Sequence, residues 1–152
     1  LKVFTFLTRA EIERLEAVVA SEPFKREAQR TLAWEVTSTV HGEAATAAAI
    51  AAAEALFGQG DLAALDDATL ESALRELPNT TSPASTPIAQ LLVDTGLSPS
   101  LGAARRSIGE GGVYVNNERV DDEAAVLEGS VLGGRMAVLR RGKKTLAGVF
   151  VE

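Results

Sequence analysis

Apolar positions follow two different rules along this chain. Up to residue 78 they recur mostly at helical spacing, whereas after residue 87 they come increasingly in short runs broken by glycine and asparagine. Leu1 to Leu7 is an apolar run too brief for periodicity to separate a strand from a helix end. Thr8 and Glu11 have capping-box spacing, and Ile12, Leu15, Val18 and Val19 then share one helical face. Pro23 ends that helix, because the residue before a proline avoids the α region. A second helix is predicted from about Pro23, with Ala28, Leu32, Val36 and Val40 as a stripe toward a core and Trp34 partly buried on the opposite side. Glu43 to Phe57 is rich in alanine, the best helix former. Asp61 to Leu65 reads as a turn. Asp66 and Asp67 offer N-caps to a last helix whose stripe is Leu70, Ala73, Leu74 and Leu77, with Pro78 beyond its end.

The stretch 79–87, NTTSPASTP, has only polar, small and proline residues and reads as a linker. After it, Ile88, Leu91 and Leu92 make a short helix face. Val131–Leu132, Met136 to Leu139 and Leu146 to Val151 read as strands, with a hairpin turn at Gly142. The predicted fold class is α+β. An all-helical domain of about four to five helices spans 1–78, followed by the 79–87 linker and a small α/β module over 88–152. That module should hold two short helices and a few mostly antiparallel strands.

One stretch of the module concentrates candidate chemistry. Ser98 or Ser100 can cap a helix that carries Arg105 and Arg106 near its end. Gly111 and Gly112 stop the helix, Val113 to Val115 form a strand core around Tyr114, and Asn116–Asn117 tolerates the positive φ of a tight turn before Arg119. Arginines and backbone amides suit phosphate, and a tyrosine ring can stack on a base. The same residues serve equally well in an ordinary helix–turn–strand unit with solvated arginines.

Charge sharpens the picture only when it is read locally. The net charge is −6 over 152 residues, yet 81–152 holds eight basic and eight acidic residues, so the excess lies in 1–80. Between residues 129 and 151 there are Arg135, Arg140, Arg141, Lys143 and Lys144 and no acid, where a phosphate backbone would be attracted most. With no cysteine, disulfides and thiolate metal sites are excluded, which fits a reducing compartment. His41, the one histidine, sits at a helix end where a cation complements the dipole. Asp61, Asp66 and Asp67 read as caps and solvated surface, and no metal site is expected. The alanine run is too short and small-sided for a membrane span.

The stretch Ser100, Ala104-Arg105-Arg106, Gly111-Gly112-Val113-Tyr114-Val115-Asn116 and Arg119 resembles the small RNA-binding module named after ribosomal small-subunit protein four. It departs from that pattern at Leu101 and Gly109, where the family often has basic residues, and at Asn117, where glycine is usual. The first half has its own resemblance. The opening LKVFTFLT, Ala28-Gln29-Arg30, Glu35-Val36-Thr37, Val40-His41-Gly42-Glu43 and Ala55-Leu56-Phe57-Gly58 are similar to the helical domain of bacterial tyrosyl-tRNA synthetases.

The order helical domain, linker, small module resembles the C-terminal part of those enzymes. The resemblance implies a piece of a longer protein whose helices approach the anticodon and whose module grips the anticodon stem and long variable arm of tyrosine tRNA. RNA would be met by Ser100, Arg105, Arg106, Gly111, Gly112, Tyr114, Asn116 and Arg119, with Arg135, Arg140, Arg141, Lys143 and Lys144 adding backbone attraction. Neither class I nucleotide-binding signature is present, so no catalytic residue and no cofactor is expected in this chain. ATP would be a substrate of the catalytic domain lying elsewhere. That domain is also where the family's homodimer forms, so this chain alone is expected to be a monomer, in the cytoplasm. Two other readings remain at this point: the RNA-binding module of another ribosome- or rRNA-associated protein, and an acidic helical protein-interaction domain.

Overall fold

The structure is a computed structural model, and it describes residues 5–58 and 60–152. It divides into two units, one ending at Ile50 and the other running from Ala51 to Glu152.

In the first unit, helix α1 spans Arg9–Ser21. The capping box forms as its spacing predicts: Glu11 N–H donates to the Thr8 hydroxyl, and Glu11 Oε2 accepts from Thr8 N–H at 2.8 Å. These bonds to Thr8, the hydroxyl's first, hold the Glu11 carboxyl below the ordinary glutamate range. A 3₁₀ turn over Pro23–Lys25 and left-handed Arg26 separate α1 from helix α2, Glu27–His41, which therefore begins four residues later than the proline suggests. Ile12, Leu15 and Ala28 are buried. The stripe expected to face a core is covered only at its start, since Val40 is 69% exposed and Val36 40%. Trp34 is half-buried. Of the opening apolar run, residues 1–4 lie outside the described residues, and the remainder is neither helix nor strand. Helix α3, Glu43–Leu56, begins in this unit and ends in the second.

The second unit is built on one sheet. After α3, a 3₁₀ turn at Leu62–Ala64 is capped by the Asp61 carboxylate, and helix α4, Asp67–Arg75, is capped by Asp66 accepting from Thr69 N–H at 2.9 Å. Strand β1 is Asn79–Ser82, helix α5 Ile88–Asp94 and helix α6 Leu101–Gly109. Strands β2, Val113–Val115, β3, Glu118–Val120, β4, Met136–Arg141, and β5, Thr145–Val151, complete it. The sheet order is β1-β5-β4-β2-β3, antiparallel except for the parallel β1–β5 edge. The α+β class holds, with two short helices and mostly antiparallel strands in the module. No helix among the described residues is long and apolar enough to cross a membrane.

Two further details differ from expectation. Asn79–Ser82, read as linker, pairs with Gly148 to Val151 of β5. Its side chains carry no apolar signal because the strand is an edge, held by backbone bonds and buried only at Ser82. Val131 and Leu132 are not a strand; only an isolated bridge joins Leu132 to Met136.

The sheet is covered on both faces. Ala137, Leu139, Ala147 and Val149 pack with Ile88, Leu92 and Ile108 of α5 and α6. The alternate residues Met136, Val138 and Leu146 pack with Leu70 and Leu74 of α4 and with Ala55 and Leu56 of α3. Helix α4, which patterning attaches to the helical half, is therefore one cover of the sheet. The fit is close at Gly148, where an added Cβ would stand 3.0 Å from Leu74 Cβ and 3.1 Å from its carbonyl oxygen. Gly148→Val is expected to lower unfolding free energy by about 1–3 kcal/mol through overpacking. Leu74→Ala should lower it by about 2–5 kcal/mol through a buried cavity. Urea denaturation followed by circular dichroism checks both.

Candidate nucleic-acid interface

The residues expected to meet RNA lie around the exit of α6, and the structure sorts them by what already holds them. Ser100 is the N-cap of α6, its hydroxyl accepting from Ala103 N–H at 3.3 Å. Ser98, the other candidate cap, is buried and does not cap this helix. Arg105 and Arg106 are exposed and form no ion pair among the described residues. Gly111 and Gly112 close the helix: their amides donate to Ile108 O at 2.8 Å and Ser107 O at 2.9 Å. Both amides are thus spent inside the protein, so they do not offer phosphate the free donors that a glycine turn suggests.

Gly111 has φ +69°, and a Cβ there would overlap the Arg119 guanidinium, which lies directly against it. Arg119 itself pairs in register with Tyr114, and Tyr114 with Arg140, so three side chains form a row across β3, β2 and β4. The Arg140 guanidinium covers the Tyr114 ring, 4.0 Å from its centre. That ring face is occupied and does not offer the open stacking surface the sequence suggests.

Asn116 belongs to the sheet. Its Oδ1 accepts from Val138 N–H at 2.8 Å, its Nδ2 donates to Ser130 O at 2.6 Å, and its own amide donates to Val138 O at 2.8 Å. Arg141 donates to Leu97 O at 2.6 Å, tying β4 to the loop before α6. Arg135 pairs with Glu71 of α4. The Arg75 hydrogen bond first, and then the charge of Arg135, hold the Glu71 carboxyl below the ordinary glutamate range. Lys143 and Lys144 stand exposed in the β4–β5 turn without an ion pair among the described residues. Gly142 N–H donates to Gly112 O at 2.8 Å, so this turn abuts the α6 exit. Arg105, Arg106, Lys143 and Lys144 therefore flank one junction as cations without an ion pair among the described residues.

Sequence reasoning missed Asn117, whose Nδ2 donates to Ala55 O at 2.7 Å. The one signal for it was an asparagine where the resembling family has glycine. A cleft of about 400 Å³ beside the Asn116–Asn117 turn carries Asp61 and Glu118, the wrong charge for phosphate.

Comparison with known proteins agrees across the whole chain. The family model described as the Tyrosine–tRNA ligase SYY-like C-terminal domain matches residues 69–149, and that of tRNA synthetases class I (W and Y) matches residues 1–58. A tyrosine–tRNA ligase of Leifsonia xyli is 65% identical over all of this chain and 35% of its own length. Those of Streptomyces griseus and Mycobacterium bovis are 52% and 55% identical, over 99% and 98% of this chain and 36% of theirs. The chain thus spans about a third of the length of these relatives. A solution structure of a tyrosyl-tRNA synthetase C-terminal domain is 38% identical, with a TM-score of 0.49, covering 61% of this chain and 96% of that one.

Two outcomes test the local geometry. Asn116→Ala leaves Val138 N–H buried and unpaired and is expected to cost about 1–3 kcal/mol in denaturant unfolding. Glu71 is expected to shape the acid limb of stability. Because its folded-state pKa is depressed, its contribution is present above its unfolded value of about 4.3 and fades as pH falls through the lower folded value. Glu71→Gln should flatten unfolding midpoints in that window and leave their dependence near neutral pH unchanged.

Proposed function

Because the chain belongs to the family of tyrosine–tRNA ligase SYY-like C-terminal domains, we propose that it is the tRNA-recognising end of a tyrosine–tRNA ligase. The observation that carries this reading is coverage: residues 1–58 and 69–149 match two parts of the same kind of enzyme, in one order along the chain. A module shared with some other ribosome-associated protein would leave the helical half unmatched. An acidic interaction domain would account for neither match.

In this reading the module meets the anticodon stem and long variable arm of tyrosine tRNA through the junction of α6 and the β4–β5 turn. Arg105, Arg106, Lys143 and Lys144 are exposed there with no ion-pair partner among the described residues, so they sacrifice little by pairing with phosphates. Arg119, with its guanidinium against Gly111, is a contact of fixed position. Arg135 and Arg141 are committed to Glu71 and to Leu97 O, and they act mainly by holding the sheet and its covers together. Tyrosine activation with ATP, esterification of the tRNA and homodimer formation belong to the two thirds of the enzyme outside this chain, which alone is a monomer. The cytoplasm is the place of work.

The test is binding of tyrosine tRNA and of a control tRNA with a short variable arm across a salt series. Tighter, salt-sensitive binding of tyrosine tRNA is expected; equal affinity for both would reduce the reading to a general RNA-binding module. The Arg105→Ala/Arg106→Ala and Lys143→Ala/Lys144→Ala variants should each flatten the log–log salt dependence, by roughly 0.7–0.9 unit for every phosphate no longer neutralised. Arg135→Ala and Arg141→Ala should leave that slope unchanged while lowering stability.

A further inference from the structure

Three features converge where α3 ends. Gly58, at φ +78°, stops the helix, and its amide donates to Ala55 O at 3.1 Å. The same carbonyl accepts from Asn117 Nδ2 at 2.7 Å. A Cβ at Gly58 would lie 3.3 Å from Asn117 Oδ1 and 3.6 Å from an Arg140 terminal nitrogen. Both the asparagine amide and the arginine fork therefore stand against the last turn of α3. Arg140 is held there from its other side by the Tyr114 ring, and one terminal nitrogen reaches Gly142 O at 3.5 Å. Its Nε is buried without a hydrogen-bond partner among the described residues, and the side chain as a whole is half-buried.

We infer that Tyr114, Asn117 and Arg140 form a clamp on the C-terminal end of α3, and that Arg140 is a positioning residue rather than a phosphate contact. A helix C-terminus exposes unpaired carbonyls and carries partial negative charge, and it is stabilised by donors and cations. Asn117 supplies the donor. Arg140 supplies the cation, and its flat guanidinium can lie on an aromatic ring while its edge faces the helix end, which an ammonium group cannot do. Asn117 also explains its own position. Its φ of +68° suits glycine or asparagine, and of these two only asparagine can reach Ala55 O. The clamp holds the last turn of α3, which ends at Leu56, against the sheet of the second unit.

Two substitutions separate this role from RNA contact. Arg140→Lys keeps the charge and removes the planar stack. Asn117→Gly keeps the positive-φ turn and removes the amide. In the free protein, each is expected to speed hydrogen exchange at the Phe57 and Gly58 amides about tenfold, with β4 and β5 amides unchanged. Tyr114→Phe, which keeps the ring face, should exchange like the parent chain. Unchanged rates at Phe57 and Gly58 in both variants would overturn the clamp. So would a uniform rise across the sheet, which would show only general destabilisation. The second readout is the salt series with tyrosine tRNA, where Arg140→Gln should leave the slope unchanged; a slope lowered by about one unit would make Arg140 a phosphate contact instead. Exchange is measured without RNA, so failure of the clamp and failure of the RNA-binding reading are distinguishable.

Discussion

Strands β4 and β5 are apolar on both faces, and a sheet that is apolar on both faces has to be covered twice. Helices α5 and α6 supply one cover. The other is α4 with the last turn of α3, brought close by the absence of a side chain at Gly148. Each cover removes a row of aliphatic side chains from water, at roughly 25 cal/mol per Å² of apolar surface. This is why the second unit begins at Ala51 and not after the polar stretch at 79–87. Without α4, Met136, Val138 and Leu146 would face water.

That double cover also decides what the basic residues can do. A cation near the sheet finds carboxylates, carbonyls and rings close by, and Arg135, Arg140 and Arg141 have each found one. A cation on the outer surface of α6 or at the tip of a hairpin finds none among the described residues, and Arg105, Arg106, Lys143 and Lys144 remain exposed. Basic residues that look alike in the sequence of the module thus divide into those that build the sheet unit and those that face outward, with Arg119 fixed against Gly111 between the two groups. Long-range attraction to a phosphate backbone would tolerate both kinds, whereas counterion release needs cations with no partner inside the protein.

The turn at Asn116–Asn117 shows how a small departure from a family pattern is put to use. Two consecutive residues with positive φ make the hairpin, and either could be glycine on conformational grounds alone. Asn116 instead replaces ladder bonds between β2 and β4, and Asn117 reaches the end of α3. The turn therefore joins strand to strand and sheet to helix.

Local chemistry made much of this legible from sequence. Thr8 and Glu11, Asp66, Ser100 and the glycines after α6 mark helix ends through bonds made within a few residues. The spacing of Leu70 and Leu74, and the Val113 to Val115 run, declare their elements for the same reason. The family, too, was readable from the arginine–glycine stretch and the helical half before it. What lay outside reach was every decision made by a partner distant in the chain. Asn79–Ser82 is a strand because β5 offers its edge, and Val40 stays exposed because nothing among the described residues of its unit covers it. Arg135 is spent on Glu71, 64 residues away, and Asn117 on Ala55, 62 away. Periodicity records which side of an element is apolar, while only the assembled sheet determines what lies against that side and which charges are left free.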